Sequence, residues 1–151
     1  MSLLEVVTIS IAMWGAALST YQTIENYRRS KPGIKVETTF GVTEVGKELS
    51  NLKLMISAAN IGSKNVTLTG VGLLLPRKGR LELIHYEGFT ALPYELTEGK
   101  SCTLWEDSEK IASQLRSHGY SGKIKLKGFY RTAIGKMVVS KPLKYDIDSP
   151  K

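Results

Sequence analysis

The sequence predicts a mainly β protein, an antiparallel β-sandwich of about seven strands with one short helical connection, preceded by a hydrophobic N-terminal helix. Three observations lead there. Short runs of alternating apolar and polar residues recur after position 33, separated by Gly, Pro, Asn and Ser turns at sandwich spacing. Within that body only "DSEKIASQLRSHG" has helical period. The opening stretch is apolar, then basic, and breaks at Lys31-Pro32-Gly33, which divides the chain into 1–31 and 32–151. A length of 151 residues suffices for one domain and an appendage, and 42% apolar with 23% charged residues is ordinary globular composition.

Leu3 to Gln22 has the length of a membrane span, for which roughly 20 apolar residues are needed. Glu5, Thr8, Ser10, Ser19 and Thr20 interrupt it, and the most apolar uncharged run, Val6 to Leu18, is short. Helical spacing changes the balance, because Glu5, Thr8, Ala12, Gly15 and Ser19 recur at intervals of three and four and form one stripe. Small and polar residues on a greasy helix form the interface expected of a homo-oligomeric span. The alternatives are an amphipathic helix lying on a bilayer or packed on the protein's own sheet. Arg28, Arg29 and Lys31 follow the apolar run and only Glu5 precedes it, which places the folded body on the cytoplasmic side of a membrane anchor. A secretory signal begins with positive charge, and "MSLLE" does not. The lone cysteine, Cys102, fits a reducing compartment.

The body begins with "IKVETTF", whose Ile34, Val36, Thr38 and Phe40 share one side of a strand. "NLKLMISAAN" and "VTLTGVGLLL" follow, joined by the turn "IGSKN", and the apolar phase of the second run shifts near Gly70, the sign of a bulge. After "PRKGR" come "LELIHY", an irregular stretch with a turn at Glu98-Gly99, and "KSCTLWED". In the helical segment Asp107 or Ser108 is the cap, Ile111 and Leu115 share a face, and Gly119 is the stop. "GKIKLKGFYR" and "MVVSKPLKY" complete the strands, and "DIDSPK" is expected to be a loose tail.

The tract "LMISAANIGSKNVTLTGVGLLL" resembles a hairpin of immunoglobulin-like domains, in which an Asn-x-Gly turn joins two such runs. "TAIGKMVVSKPLKYDID" resembles the final hairpin of small uncharacterised prokaryotic proteins that carry a short hydrophobic helix and a β domain. These resemblances imply an immunoglobulin-like sandwich. Their motifs mark turns rather than chemistry, so they bring no catalytic residue and no cofactor.

The residues themselves display no catalytic apparatus. His85 and His118 stand apart without Cys, Asp or Glu at metal-ligand spacing, and there is no nucleophile elbow, phosphate loop or dinucleotide fingerprint. The glycines of "TGVGL" read as close packing, and Cys102 as a small buried hydrophobe. Glu106, Asp107 and Glu109 gather at a helix start and oppose its positive end.

The formal charge of +7 is concentrated near the end of the chain, where Lys123, Lys125, Lys127 and Arg131 project from one side of one strand with Phe129 among them. That row suits an anionic ligand such as a nucleotide or nucleic acid, or lipid headgroups, or it is a solvated face whose lysines guard an edge strand. The expected protein is non-enzymatic and membrane-anchored, its head recognising a ligand or protein partner. The alternatives are a soluble interaction module with a packed helix and an anionic-ligand binder.

Overall fold

The computed structural model describes residues 2–30, 32–42, 44–45, 48–49 and 51–150. The chain begins with helix α1 (Leu3–Arg29), started by a capping box: Ser2 Oγ accepts the Glu5 N–H, and the Glu5 carboxylate accepts the Ser2 N–H at 2.8 Å. Among the described residues twelve strands and one further α-helix follow. They are β1 (Ile34–Gly41), β2 (Glu44–Val45), β3 (Glu48–Leu49), β4 (Lys53–Asn60), β5 (Val66–Leu74), β6 (Arg80–Glu82), β7 (Glu87–Gly88), β8 (Tyr94–Leu96) and β9 (Ser101–Asp107), then α2 (Ser108–Ser117), β10 (Lys123–Thr132), β11 (Met137–Val139) and β12 (Leu143–Asp146).

The strands form two antiparallel sheets, besides the small β2–β3 hairpin. One has the order β1-β4-β9-β7 and the other β11-β10-β5-β6. Two strands of the second sheet have divided partners. β10 pairs with β11 along its second half and with β12 along its first, while β5 pairs with β8 at its start and with β6 at its end.

Both sheets contribute to one core, as a sandwich requires. Leu54, Ile56 and Ala58 of β4 and Cys102 and Leu104 of β9 meet Leu68, Val71 and Leu73 of β5 and Leu126 and Tyr130 of β10, joined by Ile111, Ala112 and Leu115 of α2. The Tyr130 hydroxyl crosses between the sheets to donate to the Ile56 carbonyl at 2.7 Å, and burial pushes its ionisation well above the usual tyrosine range. At the border between β1 and β11, Thr38 and Ser140 hydroxyls lie 2.8 Å apart and both accept the Gly128 N–H at 3.0 Å.

Several expectations are met in detail. The register of β5 against β10 slips between Arg131 and Thr132, which realigns Leu68 with Val71 and Leu73 on the core side. Asp107 caps α2 by accepting the Glu109 N–H, Ile111 and Leu115 are fully buried, and Gly119 takes the left-handed conformation at φ 83°.

Others are corrected. Of "LELIHY" only Leu81 and Glu82 are strand, in β6 paired with β5; the chain then leaves that sheet, and the next strand, Glu87–Gly88, pairs with β9 of the other. "MVVSKPLKY" is interrupted at Ser140–Pro142, since Pro142 has no N–H for the ladder. The closing segment is docked rather than loose: Ile147 is fully buried, its N–H donates to Gly122, and its carbonyl accepts from Arg116.

Candidate functional site

The basic row lies on β10, and alternation along that strand decides its geometry. Lys123, Lys125 and Lys127 are exposed while Leu126 is buried between them, as a one-faced strand requires. From Phe129 to Arg131 β10 is paired on both sides, with β5 and β11, whereas among the described residues Lys123–Leu126 is paired with β12 alone, so Lys123 and Lys125 flank an open side of the strand. Phe129 is also not an exposed stacking platform. It is fully buried, with Gly72 opposite it on β5 and the Arg80 guanidinium 5.7 Å from its ring centre. Gly72 leaves room for that ring, since a Cβ there would come within 2.7 Å of it. Arg131 is ion-paired with Glu82 across the neighbouring strands.

What remains available differs from the predicted set. Lys125 stands directly opposite Lys144 on β12, a like-charge cross-strand pair, and Lys123 stands opposite Asp146. Beside them a cleft of about 480 Å³ is lined by Lys123, Lys125, Lys144, Tyr145 and Phe40. Half-buried Phe40 and buried Tyr145 stack at 6.0 Å on the core side of these strands, and Asp146 shares the lining of the cleft. Only the β10–β12 register brings Lys144 beside Lys125.

The residues assigned to α1 have separate fates. Thr8, Ala12, Gly15 and Ser19 are exposed on the helix surface, and nothing lies within 4 Å of where a Gly15 Cβ would stand. Glu5 belongs to the capping box, its carboxylate accepting the Ser2 N–H. Arg28 is exposed, whereas Lys31 and the side chain of Arg29 lie outside the described residues. The apolar side chains do not pack on the sheets. Leu3, Leu4, Ile11, Met13 and Trp14 are each more than two-thirds exposed, and the most apolar window of the helix buries nothing. Leu3–Arg28 is the one segment among the described residues long and apolar enough to cross a bilayer.

The acidic cluster has no catalytic arrangement. Asp107 is the cap, Glu109 pairs with Arg116 at 3.0 Å, and Glu106 is buried 3.6 Å from Lys110. Burial pushes the Glu106 carboxyl above its usual range, and the Lys110 charge opposes that shift. Cys102 is buried, with Thr90 Oγ1 at 3.0 Å. Among the described residues no group of three His, Cys, Asp or Glu side chains gathers as metal donors.

No family model and no curated protein matches the chain. Two solved structures resemble it faintly. The X-ray structure of a Northeast Structural Genomics Consortium target has 10% identity and a TM-score of 0.37 over 78% of this chain and 88% of its own. A protein described as ApaA, from Bordetella pertussis, has 10% identity and a TM-score of 0.34 over 77% of this chain and 93% of its own. Likeness of that degree transfers neither topology nor function.

Proposed function

We propose that this chain is a membrane-anchored, non-enzymatic binding protein: α1 crosses the bilayer once and self-associates there, and the β head works on the cytoplasmic side. One observation carries the reading, the exposure of a helix that has the length and apolarity of a span. The uncharged run from Val6 to Ile24 covers about 28 Å at 1.5 Å per residue, close to the roughly 30 Å of the hydrocarbon layer. Its polar residues are less costly in lipid than the sequence implies. Thr8, Ser10, Thr20 and Thr23 each donate their hydroxyl to a carbonyl one turn earlier, at 2.8 to 2.9 Å. Thr8, Ala12, Gly15 and Ser19 supply the small and polar stripe for a second helix, and the basic flank supports the cytoplasmic orientation.

The head is an immunoglobulin-like sandwich in this reading. Taken in chain order, β1, β4, β9 and β7 correspond to strands A, B, E and D, and β11, β10, β5 and β6 to G, F, C and C′. Its ligand surface is the cleft of Lys123, Lys125 and Lys144, whose cations suit phosphate oxygens.

Two experiments test the proposal. In alkaline carbonate washing of membranes holding the tagged chain, retention in the pellet is expected, and recovery in the supernatant would remove the anchor. With a single-stranded oligonucleotide as probe, binding that weakens with salt and disappears in Lys125→Glu/Lys144→Glu is expected. Unchanged binding by that variant excludes the cleft.

A further inference from the structure

The end of the head that adjoins α1 has a surface chemistry of its own. The Gly33 carbonyl accepts the Ile61 and Gly62 N–H groups at 2.9 and 3.2 Å, so the loop between β4 and β5 is stitched to the residues that follow the helix. The turn between β10 and β11 reaches the same end, where the Ala133 N–H donates to the Thr67 carbonyl at 2.8 Å. Gly33, Lys64, Asn65, Ala133, Ile134 and Lys136 line one groove of about 700 Å³.

The tips of these loops are apolar where turns are normally polar. Ile61 is 71% exposed and Ile134 84% exposed, whereas Ile56, Ile111 and Ile147 of the same head are fully buried. Exposed Lys64 and Lys136 accompany the two tips, and Arg28 of α1 is exposed as well. The acidic side chains nearest this end, Glu95 and Glu98, belong to the β8–β9 side, and Glu95 accepts from the Asn65 amide at 3.1 Å.

We infer that this end of the head docks on an anionic bilayer surface, with Ile61 and Ile134 entering the interface and Lys64 and Lys136 meeting lipid phosphates. The inference rests on α1 being a membrane span. From Arg29 to Gly33 the chain advances four residues, at most about 14 Å, so an inserted helix holds these loops within reach of the headgroups. Charge decides between bilayer and second copy: the same lysines on two facing heads repel, while the negative cytoplasmic leaflet attracts them. The row on β10 points away from this arrangement. Its strand runs from Lys123 to the docking end at Thr132, which sets Lys123 about 30 Å back and frees it for a soluble ligand.

The test uses the full chain in vesicles, with an environment-sensitive maleimide probe on Ile134→Cys and a reference probe on Lys123→Cys; buried Cys102 stays unlabelled. Lipids spin-labelled at the headgroup should quench the probe at 134 in mixed phosphatidylcholine and phosphatidylglycerol, and leave the probe at 123 bright. Pure phosphatidylcholine, or the pair Lys64→Gln and Lys136→Gln, should release the docked population by roughly fivefold per cation lost. Carbonate washing of the same vesicles reports separately on α1. A carbonate-resistant chain whose position 134 is quenched no more than position 123 overturns the docking and leaves the anchor standing. Equal quenching in neutral lipid overturns the role of the lysines. A probe at 134 whose emission reports an apolar surrounding but which headgroup spin labels do not quench assigns the surface to a second copy and overturns the inference. A chain washed free by carbonate overturns both.

Discussion

Gly72 shows how a missing side chain organises an outer sheet face. The Leu81 carbonyl oxygen of β6 and the Phe129 ring both occupy the space a Cβ would need, so Gly72→Ala forces backbone and ring to move and should cost about 1–3 kcal/mol. Gly70, two residues earlier, has its nearest neighbour 3.7 Å from a Cβ, and Gly70→Ala should fall within about 0.5 kcal/mol of the parent. Urea midpoints of the two variants measure the contrast. Glu106 makes a pH-dependent prediction. Its carboxyl is raised by burial, so the neutral form suits the fold and the stability it brings is present at low pH and lost as pH rises through the raised value. Glu106→Gln should therefore gain on the parent between about pH 4 and about pH 8, as urea midpoints at both ends would register. Alternation predicted that Phe129 lies on the lysine side of β10. It did not predict that the ring is covered, because Gly72 and Arg80 come from strands whose register no single run encodes.

Among the elements, α1 and α2 illustrate two kinds of helix. α2 is written for a soluble core, with Asp107 at its cap, Ile111 and Leu115 inward and Gly119 at its stop. α1 has a cap but no inward face, and its hydroxyls bond along its own axis. Ala16→Lys separates a lipid-borne helix from a solvated one. At the centre of a span the ammonium costs about 2.5–3.5 kcal/mol and should move the chain into the carbonate supernatant. On a solvated helix it would leave the fractionation unaltered. Strands with strict alternation, such as β1, β4 and β10, were legible along with the bulge in β5. Of the short strands, β6 was legible only as the start of an overlong "LELIHY", and β7 and β8 were not, because two or three residues display no period and their pairing is set by distant partners. Lys144 was missed as a site residue for the same reason: its place beside Lys125 depends on β12 restarting after Pro142.

For the whole molecule, α1 gives no side chain to the buried core among the described residues. A truncation beginning at Pro32 should thus unfold at the same temperature as the detergent-solubilised full chain and remain monodisperse, with calorimetry and light scattering as the measurements. Aggregation of that fragment would mean that the helix normally covers apolar surface of the head. The two broken borders described above also affect crowded heads. On the side of β11 and β12 the ladder halts at Ser140–Pro142, and on the far side β5 is flanked by two unconnected short pieces, β6 and β8. Neither rim offers a neighbouring molecule an uninterrupted row of amides on which to lay a new strand. The long unbroken rim belongs to the other sheet, where all eight residues of β1 pair with β4 alone among the described residues, so crowded copies in one leaflet would join there first.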